Sequence, residues 1–190
     1  ILVNEYLETN LKNVYAIGDC AEHKNPPLGR RSIEQVWYTG RIMGETVAIN
    51  IVGQKTSYQP GIWFNSAKFF DIEYQTYGTV NSEIKETEYE LYWEHSNGKI
   101  CVHFIFEKES YRLVGVNTFG IRLRHEQFDR WLKQDATIEE VLLNLKKANF
   151  DPEFFKSYEG EIIHAFNVKF PKSALVKKSK KSFIKNLLNR

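Results

Sequence analysis

The spacing of apolar residues in the first third of the chain has the period of a helix. Between residues 33 and 51, apolar or small residues recur every three or four positions, which predicts a helix with Ser32 as N-cap and Gly53 as the left-handed residue after its end. The predicted face consists of Ile33, Val36, Trp37, Gly40, Gly44, Val47, Ala48 and Ile51. Because Gly40 and Gly44 have no side chains, we expect this helix to pack closely on a neighbour or a cofactor.

Beyond residue 72 the period becomes two, which predicts strands. Four strands are expected within residues 72–80, 87–93, 100–106 and 111–119, with Asn97-Gly98 as the turn between the middle two. The apolar face of the second strand alternates with acidic residues that are expected to face solvent, namely Glu86, Glu88, Glu90 and Glu94. The segment therefore predicts an antiparallel meander.

Two amphipathic helices are predicted after the strands. The buried faces are expected to consist of Phe128, Trp131 and Leu132 in the first helix and Ile138, Val141, Leu142 and Leu145 in the second. Thr137 and Glu140 form a capping box, and Asp151-Pro152 is expected to cap a third helix. Strands followed by helices, without alternation, indicate the α+β class, in which helices cover one face of an antiparallel sheet.

A turn signal at Tyr58-Gln59-Pro60-Gly61 predicts a domain boundary. We expect one domain over residues 1–57, a second over 60–165 and a basic tail over 166–190. Residues 172–190 hold seven basic side chains and no acid, so the first 171 residues carry 19 basic and 24 acidic groups, and the net charge of +2 does not indicate a nucleic-acid-binding fold. The tail is expected to be a solvated terminus or a basic amphipathic helix on an anionic membrane or an acidic partner.

The two cysteines do not predict a metal site or a disulfide framework. Cys20 and Cys101 lie far apart, without a Cys-x-x-Cys pair, which favours a reducing cytoplasm. Cys101 and His103 are expected to be structural residues on the sheet face opposite Val102 and Phe104, and Cys20 a small buried residue. No apolar run reaches the ~20 residues that a membrane-spanning helix needs.

The segment 9–19 is the one whose residue types indicate specific chemistry. The apolar run from Val14 to Ile17 predicts a short buried strand that ends at Gly18-Asp19. Without a Cβ, Gly18 lets a ligand approach the backbone, and Asp19 can accept hydrogen bonds from polyol hydroxyls. This combination suits a ribityl chain.

Thr9, followed four residues later by Val-Tyr-Ala-Ile-Gly-Asp, resembles the second FAD-binding motif of the pyridine nucleotide-disulfide oxidoreductase superfamily. This superfamily includes NADH oxidases, rubredoxin and ferredoxin reductases, and nitrite reductase flavoprotein subunits. The resemblance covers residues 1 to about 150. It implies that Asp19 binds the ribityl hydroxyl of FAD beside Ile17 and Gly18. It also implies that residues 1–57 are the remnant of an FAD-binding Rossmann-like domain, followed by the family's C-terminal domain.

Two further segments resemble cofactor-binding parts of the same family. Residues 32–41 resemble the helix whose N-terminus lies beside the flavin pyrimidine, which implies Gln35 and Val36 as N–H donors. Residues 63–73 resemble the approach to the C-terminal domain, where an aromatic side chain, here Trp63 or Phe64, can lie near the flavin edge. Plain packing is the alternative for the side chains of both segments.

The position of the motif implies a C-terminal fragment, because in the family it lies about two-thirds of the way along the chain. No Gly-x-Gly-x-x-Gly fingerprint occurs in the 190 residues, so both fingerprints are expected upstream. The resemblance implies a parent enzyme that transfers a hydride from NAD(P)H to FAD and electrons to a protein, oxygen or a quinone. The absence of a His-Pro pair counts against a glutathione- or lipoamide-type reductase.

The fragment alone is expected to be inactive and colourless, because the second motif and the helix start supply only a minority of the contacts that hold FAD. The alternative is a binding or dimerisation module without chemistry of its own. A homodimer is compatible with both readings, since the family's C-terminal domain often forms the dimer contact.

Overall fold

A computed structural model describes residues 1–27, 29–150 and 156–176 of the protein. The chain divides into two compact units, Ile1–Asn65 and Ser66–Arg190. The division falls a few residues after the turn signal at 58–61. Among the described residues, no helix has both the length and the apolar character that crossing a bilayer requires.

The first unit is built around one helix, α1, which spans Trp37–Ile51. Two short parallel strands, β1 (Leu2–Val3) and β2 (Glu22–His23), pair beside it, and a single 3₁₀ turn covers Gly18–Cys20. The small core of this unit consists of Val3, Leu7, Ala16, Ala21, Met43, Val47 and Tyr58. Met43 is the α1 residue at the centre of this core, since it has no exposed surface.

Helix α1 begins five residues after the predicted N-cap, so the predicted start at Ser32 is wrong. Ser32 instead accepts a backbone hydrogen bond from His23 N at 2.8 Å, and Val36 is extended with φ −134°. The buried face is also rotated from the predicted one, because Trp37 is 69% exposed whereas Thr39 and Met43 are buried. The predicted left-handed residue after the helix is confirmed, since Gly53 has φ +90°.

The predicted buried strand at 14–17 is wrong. The segment forms a single antiparallel bridge, Tyr15 to Glu8, within a tight hairpin whose turn includes Asn13 at φ +62°. Ala16 is buried, but Val14 is 43% and Ile17 40% exposed. The turn reverses the chain so closely that only one residue pair forms the ladder, which is too short for a strand.

A five-stranded sheet in the order β3-β4-β7-β6-β5 lies in the second unit, except that Phe64 and Asn65 at the start of β3 belong to the first unit. Its strands are β3 (Phe64–Phe69), β4 (Ile72–Gly78), β5 (Glu88–Glu94), β6 (Cys101–Glu107) and β7 (Leu113–Phe119). The four predicted strands and the Asn97-Gly98 turn are confirmed, with Gly98 at φ +67°. The predicted simple meander is wrong, because β4 pairs antiparallel with β7 and not with β5, and β3 adds an unpredicted edge strand.

Cross-strand register separates the two faces of this sheet. One row of neighbours, Leu91, Phe104, Val116 and Tyr77, is buried on the face on which the helices pack. On the opposite face His103 Nε2 lies 2.9 Å from Glu90 Oε2, and Cys101 is half-buried, as expected for structural residues. Glu88, which was predicted to face solvent, is buried and pairs with Lys85 at 3.3 Å.

In the part of the chain that the structure describes, three α-helices follow the sheet: α2 (His125–Lys133), α3 (Ile138–Asn144) and α4 (Glu159–Lys169). All seven apolar residues predicted for the first two helical faces are buried. Thr137 caps α3, since its Oγ1 accepts a hydrogen bond from Glu140 N at 3.3 Å. Strands followed by helices therefore give the predicted α+β class.

Only some of the predictions for the end of the chain concern residues that the structure describes. Asp151-Pro152 lies outside the described residues, although a third helix, α4, is present. This helix extends past residue 166, where the basic tail was predicted to begin, and a 3₁₀ turn at Pro171–Ser173 follows it. Residues 177–190, which carry most of the tail's charge, lie outside the described residues.

Candidate cofactor-binding site

The Gly18 turn packs against the small-residue face of α1. A Cβ built on Gly40 lies 3.5 Å from Gly18 Cα, and one built on Gly44 lies 3.7 Å from Ile17 Cδ1. The predicted close approach of the Gly40 and Gly44 face to a neighbour is thus confirmed, and the neighbour is the candidate loop. Since Gly40 is the fourth residue of α1, the loop lies beside the start of the helix.

Backbone hydrogen bonds fix the shape of this turn. Gly18 has φ +72°, a conformation that glycine adopts without the strain of a Cβ. Its carbonyl accepts from Ala21 N at 3.0 Å, and its N–H donates to Met43 Sδ at 3.2 Å. Cys20, expected to be buried, is exposed, because the turn directs its thiol outward to donate to Ile17 O at 3.4 Å.

The Asp19 side chain points away from the core of the unit. Asp19 is exposed, and within the described part of the chain its carboxylate has no hydrogen-bond or ion-pair partner. Neighbouring Ile17 offers an apolar surface next to it, since its side chain is also exposed. The loop therefore presents a charged acceptor and an apolar contact on either side of a glycine, and this arrangement can bind a chain of hydroxyl groups.

The start of α1 carries no side-chain cap. Val36 is the N-cap residue, no side chain accepts from the helix amides, and the first turn contains no acid. The first intrahelical bond runs from Gly40 N to Val36 O at 3.1 Å, so the preceding amides form the electropositive end of the helix. Gln35 and Val36, the predicted donors, precede this turn, and its N–H groups belong to residues 37–39.

Aromatic side chains gather at the same helix start. The Phe64 ring lies 4.5 Å from the Tyr38 ring, and Tyr38 meets Trp37 edge-on at 5.2 Å between ring centroids. Trp63 is half-buried and has no ring contact among the described residues. Of the two predicted aromatics, Phe64 is the one whose ring contacts a residue of the first turn of α1.

A buried ion pair, which sequence reasoning missed, fixes the segment that leads into α1. Arg30 Nε and Nη2 donate to the two Glu34 carboxylate oxygens at 2.6 and 2.5 Å, and both side chains are more than nine-tenths buried. Arg30 Nη1 also donates to Gly61 O at 3.0 Å. The signal in the sequence is an opposite-charge pair four residues apart, but proline and glycine nearby indicated only a loop.

His23 and Tyr58 form a second buried polar pair beside that ion pair. Their rings stack with centroids 5.0 Å apart, and each residue is only 5% exposed. Burial lowers the pKa of His23, against the opposing effect of Glu34, while Arg30 lowers it further. Burial also raises the pKa of Tyr58 to about 12, and Glu34 adds to this increase. His23 is thus held neutral inside the unit.

We expect the first unit to lose stability as the pH falls below the unfolded His23 pKa of 6.5. Because the folded pKa is lower, the unfolded chain binds the proton more tightly, and the stability present above this pH is lost on acidification. His23→Phe keeps a ring in the stack and removes the proton. The unfolding free energy should then fall less steeply between pH 7 and 5, by at most about 1.4 kcal/mol per pH unit.

Urea unfolding followed by tryptophan fluorescence at several pH values measures this slope. His164→Gln is the control, because His164 is an exposed residue of α4. His125 of the second unit is half-buried, and burial lowers its pKa too, so it contributes to the pH dependence of both proteins. An unchanged slope in His23→Phe would contradict the prediction.

The chain is similar in sequence to parts of several reductases, although no protein-family model matches it. It is 27% identical to the NAD(P)H sulfur oxidoreductase (CoA-dependent) of Pyrococcus abyssi over 134 residues, which are 65% of this chain and 30% of that protein. It is 35% identical over 96 residues to a coenzyme A disulfide reductase of Staphylococcus aureus, covering 48% of this chain and 21% of the relative. A Sphingobium 5,5'-dehydrodivanillate O-demethylase ferredoxin reductase subunit is 38% identical over 77 residues, 40% of this chain and 18% of the subunit.

Solved structures show the same fold. An NAD-dependent persulfide reductase from A. fulgidus matches with a TM-score of 0.63 at 24% identity, over 90% of this chain and 34% of that one. A ferredoxin reductase from Rhodopseudomonas palustris matches with a TM-score of 0.50 at 18% identity, over 63% of this chain and 28% of that one. At these identities the similarity concerns the fold alone.

The relatives are named as NAD(P)H sulfur oxidoreductases, coenzyme A disulfide reductases and a ferredoxin reductase subunit, so the predicted resemblance is confirmed. The chain is thus similar to a part of reductases of this kind. It spans about 30% of the length of the relatives from Pyrococcus and less of the others. The relatives' activities therefore belong to chains much longer than the matched region.

Proposed function

We propose that this chain is the part of an FAD-dependent NAD(P)H oxidoreductase that binds the ribityl chain of the flavin through Ile17, Gly18 and Asp19. The observation that carries the proposal is the exposed Asp19 carboxylate, which has no partner among the described residues and follows a left-handed glycine. Packing of the Gly18 turn beside the start of α1 supports the proposal. The similarity to NAD(P)H-dependent reductases also supports the proposal.

The residues present fit FAD. Gly18 leaves the backbone open, Asp19 supplies an acceptor for hydroxyl groups, and the uncapped start of α1 supplies a positive dipole for the polar edge of the ring. Gln35 and Val36 remain proposed donors just before that turn, and Trp63 or Phe64 the aromatic at the flavin edge. When bound, FAD supplies hydride acceptance from NAD(P)H and electron transfer to the acceptor.

The electron acceptor is proposed to be a sulfur compound or a protein. The names of the relatives include sulfur, polysulfide or persulfide, coenzyme A disulfide and a ferredoxin reductase subunit. Sulfur compounds were not among the acceptors implied by the sequence, which were a protein, oxygen or a quinone. The missing His-Pro pair separates this chain from glutathione- and lipoamide-type reductases only.

Anaerobic reduction of the full-length protein tests the function. We expect the purified protein to carry oxidised flavin, to lose its visible absorption with NADH or NADPH, and to regain it with polysulfide, coenzyme A disulfide or a ferredoxin. Oxygen and a quinone are tested as further electron acceptors. A full-length protein that binds no flavin would contradict the proposal and would favour the alternative, a non-catalytic binding or dimerisation module.

One structural observation favours that alternative as a second role. The tip between β3 and β4 exposes two phenylalanines, and Phe70 is 82% exposed. A homodimer and a cytoplasmic location also belong to the proposal, and residues 172–190 are proposed to be a solvated terminus, with binding to an anionic membrane as the alternative. Sedimentation velocity tests the dimer, cell fractionation tests the location, and vesicle sedimentation with and without residues 172–190 tests membrane binding.

A further inference from the structure

Met43 is the only methionine of the chain and lies at the centre of the first unit. It has no exposed surface, yet its sulfur is not surrounded by apolar groups alone, because Gly18 N donates a hydrogen bond to it at 3.2 Å. A thioether is a weak acceptor, and backbone amides rarely rely on one. The contact joins the middle of α1 to the loop proposed to bind FAD.

The sequence around Met43 makes this contact possible. Gly40 and Gly44 stand on either side of it along α1, and both lack the side chains that would hold the loop away from the helix. A Cβ at either glycine would lie in van der Waals contact with the loop, 3.5 Å from Gly18 Cα at Gly40 and 3.7 Å from Ile17 Cδ1 at Gly44. The loop therefore approaches closely enough for the sulfur to reach the amide.

The direction of the Gly18 amide decides where Asp19 points. The Gly18 N–H points inward to the Met43 sulfur, and the Gly18 carbonyl accepts a hydrogen bond from Ala21 N. These two bonds fix the peptides on both sides of Gly18, so that Asp19 faces outward. We propose that Met43 is a positioning residue for the cofactor site: its thioether holds the Gly18 amide and thereby fixes the Asp19 carboxylate for binding the ribityl hydroxyls. This inference rests on the proposed function.

A single-atom replacement tests the first half of the inference. In the full-length protein, site-specific incorporation of norleucine at position 43 replaces only the Met43 sulfur with a methylene and keeps the side-chain length. We expect the Gly18 amide to exchange with solvent about tenfold faster, because its hydrogen-bond acceptor is gone. Selenomethionine is the matched control, since selenium still accepts the bond, and the amide should remain protected.

Flavin affinity of the full-length protein tests the second half. Met43→Leu should raise the Kd for FAD about three- to tenfold while the urea unfolding midpoint changes little, since the substitution conserves volume. Ile49→Leu, on an exposed position of the same helix, should leave the Kd unchanged. Unchanged Gly18 exchange with norleucine, or an unchanged Kd in Met43→Leu, overturns the inference. Absence of FAD from the unsubstituted full-length protein instead overturns the proposed function on which it rests.

Discussion

Gly115→Ala is expected to lower the unfolding free energy of the second unit by about 3 kcal/mol or more. A Cβ at this position lies 2.3 Å from the carbonyl oxygen of Thr79 and 2.7 Å from its nitrogen. Both are backbone atoms, so no side-chain rotation relieves the overlap. The segment must move, and this breaks the bond from Thr79 N to Val114 O at 3.0 Å and the pairing of Gly115 with Gly78.

Gly160→Ala is the matched control for the same chemical change. Gly160 lies in the first turn of α4, and a Cβ there meets no atom within 4 Å. Alanine should therefore stabilise the helix slightly, by up to about 0.5 kcal/mol. Chemical denaturation followed by circular dichroism measures both changes. An equal unfolding midpoint for Gly115→Ala and the parent sequence would show that β7 tolerates the added carbon.

Asp19→Ala in the full-length protein is expected to weaken FAD binding about ten- to a hundredfold. The substitution removes a charge-assisted hydrogen bond to the ribityl chain, which is worth roughly 1.5 to 3 kcal/mol. The fold should remain, because Asp19 is exposed and its carboxylate has no partner among the described residues. Equilibrium titration of the apoprotein with FAD measures the loss.

Glu22→Ala controls for the change in net charge. Glu22 is an exposed acid only three residues from Asp19, and it is not part of the proposed site. It should bind FAD as tightly as the parent sequence. Asp19→Asn removes the charge and keeps the shape of the side chain. Its affinity for FAD should lie between that of Asp19→Ala and that of the parent sequence. Parent-like affinity in Asp19→Ala would exclude Asp19 as the ribityl ligand.

The second unit was largely predictable because its patterns are long and local. Alternation along β5, and the helical spacing from Phe128 to Leu145, each span enough residues to set one buried face. The strand order was not predictable, because the pairing of β4 with β7 depends on the Gly78 and Gly115 contact across a long separation in sequence.

The first unit was less predictable because distant contacts decide its local structure. The Arg30 and Glu34 ion pair, tied to Gly61 O, holds the residues before α1 out of the helix that their spacing predicted. Burial of Met43 likewise turns the helix face away from the predicted one. A periodic pattern contains no information on such partners.

The residues of the candidate site also form two groups, those that the sequence indicated and those that only the structure brings together. Gly18 and Asp19 could be chosen from the sequence, since their chemistry is explicit in the residue types and in the motif they resemble. Met43 contacts Gly18 and Phe64 contacts Tyr38 only in the folded structure, and the sequence does not show either contact. Gln35 and Val36 were predicted to be donors in the first turn of the helix, but this turn begins only at Trp37.

Hydrogen exchange of the full-length protein, with and without bound FAD, tests most directly whether the Gly18 turn binds the cofactor. Peptides that cover residues 17–21 and 36–39 should exchange more slowly when FAD is bound, because the ribityl chain and the flavin edge cover the loop and the start of α1. Peptides from β6, at Cys101–Glu107, should not change. Protection confined to other regions, with residues 17–21 unchanged by FAD, would contradict the account.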